Sequence, residues 1–197
     1  MRRMLLAALL SLAALPATAQ DRPLIYPTRD VAITYRFTGA QAQQAPNMTM
    51  SWLAASRMMR VDMAGMGYMV ADHRNQRGFM VMQQARMIMD VPVQQAMQQY
   101  GPSETATYRR TGTATVAGHP CTIWSFEDRG NNGTACVTAD GVMLRAQGTS
   151  QGQSGSMEAT QVAYGAQDPS RFQRPQGYQS MQMPGGGAMP GGRPPAK

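Results

Sequence analysis

The chain has 197 residues, 43% of them hydrophobic, with 18 Lys and Arg against 11 Asp and Glu and a net charge of +7. That length fits one ordinary domain or two very small ones and excludes a large multidomain machine. Charged residues, at 15%, are too few for a disordered polyelectrolyte, and beyond the N-terminus no apolar run reaches the ~18–20 residues of a spanning helix.

In chain order, Arg2 and Arg3 precede the apolar run Met4–Leu15, then Pro16 and Ala17-Thr18-Ala19. A charged start, a short apolar stretch and a small-residue junction make a secretory signal, cut after Ala19. The run is too short for a membrane anchor, and no cysteine at the junction offers a lipid attachment point. The expected organisation is a signal peptide over 1–19, a flexible lead-in over 20–30, one β domain over 31–178 and a disordered tail over 179–197. The expected location is the periplasm of a Gram-negative bacterium, as a soluble protein with no transmembrane segment after cleavage. Export argues against nucleic acid as the partner of the positive charge. So does the scatter of the arginines, of which Arg109-Arg110 is the one adjacent pair after the signal. Solvated strand faces account for the charge, with a mild attraction to anionic surfaces.

Val31–Gly39 alternates, with Val31, Ile33, Tyr35 and Phe37 on one side and Ala32, Thr34 and Arg36 on the other. Met48, Met50 and Trp52 alternate with Thr49 and Ser51, and Met59, Val61 and Met63 with Arg60 and Asp62. This is the period of half-buried antiparallel strands. Further strands are predicted over 68–72, 79–83, 86–91, 111–116, 121–126, 134–138, 142–147 and 157–164. Turn residues separate them at Asn75–Gly78, Gly118, Asn131-Asn132-Gly133 and Asp140-Gly141. One short helix is predicted around 92–100. Pro92 opens it, Gly101 stops it, and Val93, Ala96, Met97 and Tyr100 form its apolar stripe. The fold class is therefore mainly β, an antiparallel sheet curling on itself with a short helix lying against it. Ala40–Asn47 is predicted to be a mobile loop. From about Gln173 the chain is rich in Gly, Pro and Gln.

Cys121 and Cys136 lie fifteen residues apart and, in an oxidising compartment, are expected to bridge, contributing roughly 3 kcal/mol. A direct cross-strand pair needs a hairpin centred between Asp128 and Arg129, whereas Asn132-Gly133, a strong two-residue turn signal, would centre it four residues later. The expectation is a bridge with a wide loop over Glu127–Gly133. The alternative is two reactive or metal-binding thiols.

Methionine is the unusual component, at 19 residues, clustered at Met48–Met69 and Met80–Met97. Strand spacing puts Met48/Met50, Met59/Met63, Met80/Met82 and Met87/Met89 pairwise on one face. Three readings compete. One is an ordinary core. The second is a deformable apolar hollow lined by Met48, Met50, Trp52, Met59, Val61, Met63, Met80, Met82, Met87, Met89 and Met97, since flexible thioethers re-pack around varied shapes. The third is a Cu(I) site at Met63, Met66 and Met69, with Met181, Met183 and Met189 in the tail as further sulfurs. No reaction chemistry assembles. His73 beside Asp72 and His119 between Gly118 and Pro120 read as turn histidines. No nucleophile motif, zinc spacing or phosphate loop accompanies them. The expectation is a non-enzymatic protein with no cofactor, binding a hydrophobic ligand or an envelope protein partner.

Gly112-Thr113-Ala114-Thr115-Val116-Ala117-Gly118-His119-Pro120-Cys121 resembles the strand–turn–strand of an exported bacterial family, domain-of-unknown-function family 4412. That family is similar to the LolA/LolB lipoprotein-carrier superfamily. Ala135–Arg145 resembles the next hairpin of the family, and Ser170–Tyr178 its closing F-x-x-P-x-G-Y segment. The resemblance spans Val31–Tyr178. It implies an open antiparallel half-barrel with helices capping a concave side that, in the carriers, holds lipid acyl chains.

Overall fold

Alternation of apolar and polar residues folds the chain as strands. The computed structural model describes residues 22–39, 47–94, 105–128, 130–150 and 153–181. Its strands are β1 (Val31–Gly39), β2 (Asn47–Leu53), β3 (Met58–Met63), β4 (Gly67–Asp72), β5 (Arg77–Met82), β6 (Met87–Pro92), β7 (Thr107–Val116), β8 (His119–Asp128), β9 (Asn131–Val137), β10 (Met143–Ser150), β11 (Gln153–Tyr164) and β12 (Gln179–Met181). They form one open twelve-stranded sheet in the order β12-β6-β5-β4-β3-β2-β1-β11-β10-β9-β8-β7. The pairing of β12 with β6 is parallel, and the others are antiparallel. Several hairpin turns carry a non-glycine residue in the left-handed region, namely Arg57 and Gln76 at φ 55 and Arg86 at φ 51. At Arg57 and Arg86 no residue type announces the turn, whereas the turn predicted at Asn75–Gly78 takes in Gln76.

The sheet curls about β1. Val31, Ile33, Tyr35 and Trp52 form one core cluster with Val116, Cys121, Cys136, Val142 and Leu144, which come from the opposite half of the sheet. The face that carries β1's buried residues is therefore the inner face. Tyr35 closes the curl by donating its hydroxyl to the Met143 carbonyl at 2.7 Å, and its burial raises its pKa. On the outer face of β3–β6 a second cluster gathers Tyr68, Val70, Phe79, Val81 and Ile88 around Phe172. Phe172 belongs to a 3-10 turn at Pro169–Phe172, N-capped by Asp168. Arginines bind this C-terminal segment down. Arg60 pairs with Asp62 at 2.5 Å and donates to the Arg171 carbonyl at 2.7 Å, and Arg174 pairs with Asp90. The chain then adds β12 to the edge of β6, beyond the expected boundary at Tyr178.

Cys121 and Cys136 are bonded, with Cα atoms 5.4 Å apart. The wide loop expected beside them is not there. β8 and β9 pair from Thr122↔Val137 out to Asp128↔Asn131, so the turn is tight, with Gly130 at φ 79. Ile123 is the residue opposite Cys136, and Cys121 lies two positions along the same face. Asn132-Gly133 sits inside β9. A Cβ on Gly133 would come within 2.3 Å of the Gln147 carbonyl oxygen and 2.9 Å of Gly148 and Phe126. That glycine serves close strand approach rather than a turn.

Of the helix expected around 92–100, Val93 and Gln94 are helical, Pro92 ends β6 rather than opening the helix, and residues 95–104, with Met97, lie outside the described residues. Val93 is buried. A Cβ on Gly78 would meet its Cγ2 at 2.7 Å, so Val93 sits over Gly78 on the inner face. The signal peptide over 1–19, the loop 40–46 and the tail methionines Met183 and Met189 also lie outside the described residues. Residues 22–28, read in the sequence as part of a loose lead-in, run instead as a strap across one end of the sheet. Its Pro23 and Pro27 are buried, and the Thr28 amide donates to the Asp140 carbonyl at 2.9 Å.

Candidate functional site

Register fixes which methionines share a face. Met50 lies opposite Val61, Val61 opposite Met69, Met69 opposite Met80, Met80 opposite Met89 and Met89 opposite Met181. A second row holds Met48 opposite Met63 and, further across, Met82 opposite Met87. The third runs Trp52, Met59, Ala71, Gly78, Val91. Side chains alternate along a strand, so all three rows lie on one side of β2–β6. Val31 opposite Trp52, Ile33 opposite Met50 and Tyr35 opposite Met48 make that side the inner face.

Burial differs along these rows. Trp52 and Val61 are buried, whereas Met48, Met50, Met59, Met63, Met69, Met80, Met82, Met87 and Met89 are each half-buried. The outer face of the same strands is sealed by the Phe172 segment, so the inner face is the more accessible of the two. Met58, one residue from Met59, points outward into the Phe79 cluster.

The candidate copper trio is divided. Met63 and Met69 fall in neighbouring rows of the inner face, and Met66 stands at the tip of the β3–β4 turn, 51% exposed. Among the described residues no group of three or more His, Cys, Asp and Glu gathers where it could hold a metal ion.

At one end of the rows lies a feature the sequence concealed. His73, read there as a turn histidine, is 6% exposed. Its ring packs 4.9 Å from Tyr26 and 5.5 Å from Trp52, while Tyr26 stacks on Trp52 at 5.3 Å. Arg57 lies over the Tyr26 ring at 5.1 Å. Both His73 nitrogens, Trp52 Nε1 and Ser56 Oγ are buried without a hydrogen-bond partner. The contacts come from residues 26, 52, 57 and 73, which no local spacing connects.

Burial, with Arg57 nearby, holds the His73 imidazole below its usual value, Asp72 acting the other way. The unfolded chain thus takes up a proton near pH 6.5 that the folded chain resists. Stability from this group is complete above pH 6.5 and declines as pH falls below it. His73→Phe is expected to flatten the fall of the urea midpoint between pH 7 and 5. A slope unchanged by the substitution would show that other groups set it.

Residues 37–163 match the family described as Domain of unknown function (DUF4412). No match to a curated protein was found. Among solved structures, an uncharacterised conserved protein from Thermus thermophilus superposes with a TM-score of 0.56 at 11% identity, covering 79% of this chain and 91% of that one. MucB superposes with a TM-score of 0.52 at 13% identity, over 78% of this chain and 60% of that one. A LolA superfamily protein from Nitrosomonas europaea gives 0.41 at 7% identity, over 77% and 93%. At these identities the first two establish a shared fold.

Proposed function

The chain belongs to the DUF4412 family, and on that premise we propose that it is a non-enzymatic binding or carrier module exported to the periplasm. Its methionine-lined inner face takes a hydrophobic, lipid-like ligand. The observation that carries this reading is the register, which collects the methionines of β2–β6 on one accessible face while the opposite face is sealed by the chain's own C-terminal segment.

A core that needed only volume would bury these side chains as it buries Val31, Ile33 and Leu144. Thioethers instead give a soft apolar surface that adapts to a flexible chain. The family's resemblance to lipoprotein carriers, whose concavity holds acyl chains, supports the same ligand class. The signal-like N-terminus and the Cys121–Cys136 bond support export into an oxidising compartment. Among the described residues no helix is long and apolar enough to cross a membrane.

Delipidated protein, titrated with fatty acids, phospholipid or an apolar dye, is expected to show saturable uptake and a lipid displaceable by competition. Absence of saturable uptake of all three overturns the reading. Tight Cu(I) binding under anaerobic conditions in its place would assign the thioethers to metal.

A further inference from the structure

The corner beneath the N-terminal strap holds chemistry that the methionine rows do not use. A cavity of about 570 Å³ opens there, lined among others by Arg22, Leu24, Ile25, Trp52, Ala54 and Arg57. Among the described residues its charged lining side chains are arginines, with no acid. Two acids near Trp52 and Arg57 accept from backbone amides. Asp72 accepts from the amides of Arg74 and Asn75, and Asp30 from those of Ala54 and Gln167. Among the described residues Arg57 forms no ion pair. Its guanidinium rests on Tyr26. Of the lining residues Trp52 keeps its Nε1 unpartnered, and His73, whose ring packs against Tyr26 and Trp52 just behind them, has neither nitrogen bonded. A buried donor without a partner is costly, and one on the cavity wall between two arginines favours a polar occupant.

We propose that this cavity is a head-group subsite, taking the oxyanion of an amphiphile whose apolar chain continues over Trp52 and Met59 onto the methionine rows. The inference rests on the reading that the inner face holds an apolar ligand, and adds which end of that ligand is recognised and by what. Arg57 and Arg22 supply the charge, and a guanidinium fork matches the paired oxygens of a carboxylate or phosphate. Leu24 and Ile25 clothe the first carbons. Trp52 is the residue that the cavity and the rows share. It lines the cavity, and on the inner face it lies opposite Met59.

The test is isothermal titration of the delipidated, signal-free chain with decanoate, decyl phosphate, decanol, acetate and inorganic phosphate. At least one of the anionic amphiphiles is expected to bind tenfold or more tighter than decanol, and the two small anions not to saturate the protein. Arg57→Gln, and separately Arg22→Gln, are expected to weaken the anionic amphiphile at least fivefold and leave decanol unchanged. Decanol binding as tightly as both anionic amphiphiles overturns the head-group subsite and leaves the apolar reading standing. Saturable binding of acetate or phosphate alone, as tight as that of the amphiphile, also overturns it, by assigning the arginines to free anions. If no chain-bearing compound binds, the apolar reading falls and the subsite with it.

Discussion

Trp52→Ala is expected to destabilise the protein by about 3–5 kcal/mol, the range for removal of a core aromatic. The indole is 1% exposed and lies in the cluster that joins β1 to the far half of the sheet. It is also the ring on which Tyr26 stacks, so truncation takes away the surface that holds the strap. His73, with neither nitrogen bonded, loses one of its two ring neighbours and gains a route to water. For a domain of this size such a loss corresponds to a fall in Tm on the order of 10 °C. Trp52→Phe, which keeps a stacking face, is expected to recover more than half of it. Urea midpoints of the three proteins measure the effect. A loss below about 1 kcal/mol for Trp52→Ala would mean that the strap and β2 collapse into the space, and that the ring box does not depend on the indole.

Much of this architecture is legible in residue order. Strict alternation in Val31–Phe37, Met48–Trp52 and Met59–Met63 marks both the strands and their faces, because a strand offers only two sides. Each pair of same-face methionines follows from spacing alone, but alignment of the pairs across β2–β6 depends on register, and register is set by turns. Those turns are poorly signalled. Arg57 and Arg86 take left-handed conformations in turns that hold no glycine or asparagine, whereas the Gln76 turn is marked by Asn75 and Gly78. The opposite error arises at Asn132-Gly133, a strong hairpin signal that the fold overrides. Placing the turn there would move β8 against β9 by several residues and break the Cys121–Cys136 bond and the Ile123↔Cys136 pairing.

The outer cover of β3–β6 is hidden for a different reason. Residues 166–178 form no regular strand, and their contribution is one buried ring, Phe172, with arginine pairings to Asp62 and Asp90. The strap over 22–28 is hidden in the same way, since its hold on the sheet is the Tyr26 ring, the buried Pro23 and Pro27, and the bond from the Thr28 amide to Asp140. Irregular segments bind by single anchors, and anchors carry no period to read.

The double substitution Met69→Gln with Met80→Gln is expected to lower affinity for an apolar ligand by tenfold or more at little cost to the fold. These residues lie directly opposite each other in the middle row, and both are half-buried before any ligand arrives. Glutamine has nearly the same length and flexibility as methionine, so shape is kept and only polarity changes. In the free protein water still reaches both positions, and the amide loses little. A bound alkyl chain would displace that water, and desolvating each amide costs on the order of 1 kcal/mol. Two such costs exceed the roughly 1.4 kcal/mol that makes a factor of ten. Met58→Gln is the matched control, being a neighbour in sequence on the outer face. It is expected to leave affinity unchanged and to lower stability, because its side chain packs against the Phe79 cluster. Dye titration and urea melts of the two variants separate the faces. Equal losses of affinity from both would mean that uptake follows global loosening of the sheet rather than contact with the inner methionines.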